Sequence, residues 1–161
     1  MRHTTQTKVE SFQGILLWMN DLMQFHSSNY EINDSTGSLI AIIVRSHFEK
    51  PGVNFLSDPS FSIQLGVSSY KKGHLIQPHV HLQREIKLNR IQEVVHVDSG
   101  RTKVTLYDLN RQKLDVVELG AGDTIFFVDG GHGFEFMEDT KFIEVKQGPY
   151  ANKEKDKCLI K

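Results

Sequence analysis

Cysteine occurs once in the 161 residues, at Cys158, so no disulfide can form within the chain. A reducing compartment, the cytoplasm, is the expected setting. An excess of charge of one sign is lacking too. The formal net charge is −1 at pH 7, and no stripe of lysine and arginine is interleaved with aromatics. That balance excludes an electrostatic footprint for nucleic acid. Long apolar runs are also missing. The most apolar early stretch, GILLWMNDLM, is interrupted by Asn20 and Asp21, and no small-residue cleavage site follows it. Neither a membrane span nor a signal peptide is expected. With no internal repeat and no low-complexity tract, the length suits one domain with one hydrophobic core.

What is present falls into two parts. Residues 1–30 read as a helical extension. Thr7 and Glu10 form a T-x-x-E capping box, and Val9, Phe12, Leu16, Met19 and Met23 recur at helical spacing. After Tyr30 the pattern changes to period two, with turn residues at short intervals. SLIAIIVRSHF reads as a buried strand, KPGVNFLSDPS as a loop and FSIQLGVSSY as an alternating strand; KKG then turns the chain into HLIQPHVH. EVVHV, KVTLYDL, KLDVVEL, DTIFFV, GFEFM and KFIEV follow, separated by DSGR, NRQ, GAG, DGG and EDT. Many short strands with no helix pattern between them predict an all-β sandwich or barrel over residues 31–150. Residues 151–161, rich in lysine, read as a polar tail.

Chemistry concentrates in residues 73–132. Side chains alternate along a strand, so Gln77, His79 and His81 share one face; if that face is interior, two imidazoles converge on one point. Glu93 opens a β-branched strand whose inward set is Glu93, Val95 and Val97, closed by Gly100. GAGDTIFFVDGGHGF then brings His132 into a glycine-rich corner. His96 falls on the face opposite Glu93, and His74 lies off the face of His79 and His81; both read as surface residues. The phenylalanines 126, 127, 134 and 136 read as core. Tyr107 is either a core residue or a catalytic acid.

This combination resembles the cupin superfamily. Its first motif is G-x5-H-x-H-x(3,4)-E-x6-G, and Gly73, His79, His81, Glu93 and Gly100 match it. Its second is G-x5-P-x-G-x2-H-x3-N, of which Gly122, Gly130 and His132 match parts. The resemblance covers roughly residues 60–150. Four departures stand out. Eleven residues separate His81 from Glu93; Val128 replaces the proline and one residue is missing before His132; Phe136 replaces the asparagine. Glu85 meets the literal spacing after His81 and competes with Glu93, which alone satisfies E-x6-G and opens a strand.

The resemblance implies a jelly-roll β-barrel with His79, His81, Glu93 and His132 around a divalent metal. Three imidazoles and one carboxylate suit Fe(II), Mn(II), Ni(II) or Zn(II) without choosing among them. The extra segment LQREIKLNRIQ places Arg84, Lys87 and Arg90 at the rim, where a guanidinium can grip a carboxylate or phosphate. The ending GGHGFEFMEDTKFIEVKQGPY resembles small bacterial cupins found among surface-polysaccharide biosynthesis genes, which implies a sugar-related context. A metal-dependent enzyme acting on a small polar, sugar-derived or carboxylate metabolite is the first expectation. A metal-free sugar-nucleotide isomerase or epimerase, with a histidine base and Tyr107 as acid, is the second. A ligand-binding cupin without activity is the third. A homodimer fits the helix and the exposed sheet edges. On the last strand, Glu144 and Lys146 share a face, as either a structural pair or ligand contacts.

Overall fold

The computed structural model describes residues 28–150 and 156–160, so the expected helix over 1–30 lies outside the described residues except at its end. There the chain is already extended. Ten strands follow: β1 (Asn29–Asn33), β2 (Leu39–Val44), β3 (Gly52–Phe55), β4 (Gly66–Ser69), β5 (Glu93–Ser99), β6 (Arg101–Tyr107), β7 (Lys113–Gly120), β8 (Thr124–Phe127), β9 (Gly131–Phe136) and β10 (Lys141–Lys146). All named pairs are antiparallel. A five-stranded sheet runs β1-β2-β8-β5-β10, a three-stranded sheet runs β7-β6-β9, and β3 pairs with β4. The architecture is all-β and sandwich-like. No helix among the described residues is long and apolar enough to cross a membrane.

The strand sequences explain the layering. In β2, LIAIIV, five consecutive residues are buried, as a strand covered on both faces requires. Ala41 and Ile43 pack with Val95, Ile125, Val104 and Leu106 in the core between the two larger sheets. Ile42 and Val44 turn the other way and pack with Phe126, Val128 and Leu65 in a second core beneath the β3–β4 side. The five-stranded sheet is therefore the middle layer. Strands β5 and β6 alternate cleanly: Glu93, Val95 and Val97 are buried on one strand, and Thr102, Val104 and Leu106 on the other.

Turns follow glycine where a positive φ is needed. Gly100, between β5 and β6, has φ +84°, and a Cβ there would lie 2.3 Å from the Asp139 carbonyl oxygen. Gly130, before β9, has φ +71°, and its Cβ would lie 2.2 Å from the Tyr107 carbonyl oxygen. No side chain larger than hydrogen fits at either place.

Two expectations are corrected by the structure. KPGVNFLSDPS is not wholly loop, since it contains β3. HLIQPHVH is not a strand: no strand forms between Ser69 and Glu93, and every residue from 70 to 91 is exposed. These residues form an arm between β4 and β5. Alternation alone does not make a strand, because its backbone groups need a neighbouring strand. The arm has none. At the same side of the sandwich, β9 pairs only with β6 and β10 only with β5 among the described residues, so both are open edges.

Candidate functional site

The strip between the two open edges is the candidate cleft, and its floor is built by register. Glu93, the first residue of β5, stands opposite Phe127 of β8 and Lys146 of β10. It is 7% exposed. The start of β5 is fixed by buried Gln92, whose backbone N–H donates to Gln147 Oε1 (2.8 Å) and whose Oε1 accepts from Ser62 Oγ (3.1 Å). Gln147 Nε2 in turn donates to Ser62 Oγ (2.8 Å), closing the clamp. Neither glutamine carries a motif that would mark it in the sequence.

His132 reaches the cleft from the opposite sheet. It stands opposite Leu106 in the β6–β9 register, and its ring stacks on Phe127 with centroids 3.9 Å apart and planes at 18°. Phe134 meets the same ring edge-on at 5.6 Å. His132 Nε2 lies 3.8 Å from Glu93 Oε1, beyond hydrogen-bond length. Burial lowers the imidazole pKa to about 4, and the positive charge of Lys157 adds to this. Burial also raises the Glu93 carboxyl above its ordinary value, helped by the nearby charge of Glu144. At neutral pH the imidazole is uncharged, the form that binds metals or accepts a proton.

These shifts set a pH dependence of stability in the metal-free protein. The folded state resists protonation of His132, so its contribution is intact above pH 6.5 and is lost as pH falls through 6.5 towards 4. Glu93 has the opposite sign: its raised pKa favours folding as the carboxyl protonates. The histidine shift is the larger, so the net effect is a loss of stability as pH falls from 6.5 to 4. Urea titrations of chelator-treated protein should show it, and His132→Gln should flatten that limb. An unchanged slope in the variant would exclude His132 as its source.

The inner face of β10 completes the cleft. Phe142, Glu144 and Lys146 oppose buried Val97, Val95 and Glu93. Lys146 Nζ lies 2.6 Å from Glu144 Oε1, and the ring of Tyr150 is 5.4 Å from the same ammonium. At the far end Phe134, Phe136 and Phe142 stack with centroids 5.5–6.2 Å apart. Phe136 is 54% exposed there, so it is a cleft-rim residue and not core.

The remaining candidates are dispersed. His79 and His81 are exposed on the arm, with rings 5.2 Å apart and His79 Nδ1 2.9 Å from the carbonyl oxygen of Gln77. They do not join Glu93 and His132, and no group of three or more metal-ligating side chains assembles among the described residues. Glu85 is exposed on the arm, whereas its competitor Glu93 faces His132. Arg84 is likewise exposed on the arm. Arg90 is not a free rim cation, because it pairs with Asp129 at the corner before β9. Tyr107 stands opposite Gly131, on the face of β6 away from Leu106 and His132, which removes it as a proton donor to this cleft. His96 is half-buried on the far face of β5, bonded to Thr124 Oγ1 at 3.0 Å, and His74 stacks on Tyr70 at 4.4 Å.

Glu93 and His132 are donors of the kind a first-row divalent ion takes, but two donors do not make a complete protein set. No family model matches the sequence, no curated protein matches it, and no solved structure matches the fold.

Proposed function

We propose that this protein is a cupin-like, metal-dependent enzyme for a small polar metabolite, with its metal held by His79, His81, Glu93 and His132. The observation that carries the reading is the Glu93–His132 pair. A buried carboxylate and a neutral imidazole face each other from different sheets at 3.8 Å, beside an open strand edge. In this reading the arm seats its residues 74–82 along the free edge of β9. The three-stranded sheet then gains a fourth strand and the fold becomes a jelly roll. Ten residues of extended chain separate Ser69 from His79 and span up to about 33 Å, ample reach across a small domain. The alternation that turns His79 and His81 inward turns Val80 and Leu82 outward. That apolar outer stripe is the surface on which a second copy would pack to form a homodimer.

When bound, the metal would polarise a ligand oxygen or lower the pKa of bound water. The chain's own contribution is to orient donors and keep the imidazole of His132 neutral between Phe127 and Phe134. A metal-free proton-transfer reading rests on the same two residues, the neutral imidazole as base and the raised carboxyl of Glu93 as acid. The resemblance to cupins of surface-polysaccharide loci directs the choice of substrates to sugar derivatives.

Elemental analysis of protein reconstituted with Fe(II), Mn(II), Ni(II) or Zn(II) divides the two. One divalent ion per chain is expected, with occupancy reduced at least tenfold in His79→Ala, Glu93→Gln and His132→Ala and retained in Glu85→Gln. Protein that stays metal-free after reconstitution would falsify the metal reading. Loss in Glu85→Gln with retention in Glu93→Gln would move the carboxylate ligand to the arm.

A further inference from the structure

We propose that Lys146 is the anion-binding residue of this cleft and receives a carboxylate or phosphate group of the ligand. The inference rests on the Glu93–His132 cleft being the ligand site, and not on a metal being bound there.

Strand β10 carries a lysine at each end, and the two are placed in different ways. Lys141 is 71% exposed and reaches Asp98 at 3.0 Å, an ordinary surface pair. Lys146 is 22% exposed, although it closes an edge strand from which a long side chain can easily reach water. It is held instead in the cleft, by Glu144 on one side and the Tyr150 ring on the other. Its inward direction is fixed by register, since it stands directly opposite Glu93.

Neutralising Glu144 does not account for this placement. The carboxylate of Glu144 is one-third exposed and is already solvated, and ion pairs of that kind add little stability. The pair does position the ammonium. Glu144 draws on one of three N–H donors and aims the group along the cleft wall. Tyr150 supplies a face that favours a cation without consuming a hydrogen bond. A second cation, Lys157, lies near enough to act on both Glu93 and His132, and with Lys146 it offsets the neighbouring carboxylates of Glu93, Glu144 and Asp156. Of the other basic candidates, Arg90 is paired with Asp129, and Arg84 and Lys87 are exposed on the arm. A small organic anion is the ligand class that uses this arrangement. Its anionic group would sit at Lys146, and its remainder would extend towards the exposed ring of Phe136.

Calorimetric titration of the full chain tests the assignment at fixed ionic strength, with inorganic phosphate, malonate and neutral glucose as probes. The titrations are run on chelator-treated protein and on reconstituted protein. At least one of the two anions should bind, and Lys146→Met should weaken it tenfold or more while the circular dichroism spectrum and melting temperature stay those of the parent. Lys146→Arg should retain part of the affinity, and Lys141→Met all of it. Which anion binds separates a phosphate ligand from a carboxylate one. Anion binding that needs Lys146 in chelator-treated protein supports the anchor even if no metal ever binds. Equal affinity in Lys146→Met, equal weakening in Lys141→Met, or no anion binding in either state overturns it. Affinity that vanishes on chelation and ignores Lys146→Met also overturns it, while leaving the metal reading intact.

Discussion

Asp123→Ala should lower the unfolding free energy by about 3–5 kcal/mol, because it strands a buried cation. Asp123 Oδ2 accepts from Arg45 Nη1 at 2.9 Å, and both side chains are nearly inaccessible. The same carboxylate accepts from the Ser46 backbone N–H at 2.8 Å and from the Gly120 N–H at 3.1 Å. Arg45 spends its remaining reach on the Glu118 carbonyl at 2.7 Å and the Tyr30 hydroxyl at 3.0 Å. One carboxylate thus ties together the end of β2, the β7–β8 turn and β1. Removing it leaves the guanidinium and two backbone donors without their acceptor. Urea unfolding should show the loss, and Asp98→Ala, on the exposed pair with Lys141, should change stability by less than about 1 kcal/mol. Adding Arg45→Met to Asp123→Ala should recover part of the loss. A single-variant loss no larger than that of Asp98→Ala would mean the network is not buried as described.

Gly130→Ala should destabilise by about 3 kcal/mol, from a left-handed backbone and a steric conflict together. The conflicting atom is the backbone oxygen of Tyr107, which cannot turn aside as a flexible side chain would. His132 stands only two residues on, so the accommodation must pass into the strand that carries it. Binding at the cleft should fall along with stability, even at temperatures where the variant is fully folded. Gly133→Ala is the control on the same strand. Its added Cβ meets nothing within 4 Å and its φ is not positive, so stability and binding should stay near those of the parent. Equal behaviour of the two variants, by melting temperature and by metal content, would show that the Gly130 corner does not position His132.

What was legible in the sequence is what local rules govern. Period-two alternation placed Glu93, Val95 and Val97 on one face, and all three are buried. Glycine punctuation located the turns at Gly100 and Gly130 because only glycine takes those conformations cheaply. Glu93 and His132 could be set side by side only through a family resemblance, since they lie 39 positions apart. The misses are long-range or depend on partners. HLIQPHVH alternates like a strand, yet strand formation belongs to a pair of segments and not to one. Arg90 reads as an open rim cation in the sequence, because its partner Asp129 lies 39 residues away and only the fold brings the two together. Tyr107 follows Leu106 by one residue, and a shift of one residue along a strand exchanges the two faces. The register with β9, Leu106 opposite His132 and Tyr107 opposite Gly131, shows which face it takes.

The Glu93–His132 separation has a consequence for core mutations far from the cleft. One residue grows from the middle sheet and the other from the outer sheet, so the gap between them measures the thickness of the sandwich. Whatever packs between those sheets, from Val104 and Leu106 to Ile125, is a spacer for the site. Truncating a spacer lets the sheets settle inwards, and an overlarge one pries them apart. The Glu93–His132 gap is therefore a caliper reading of the hydrophobic core.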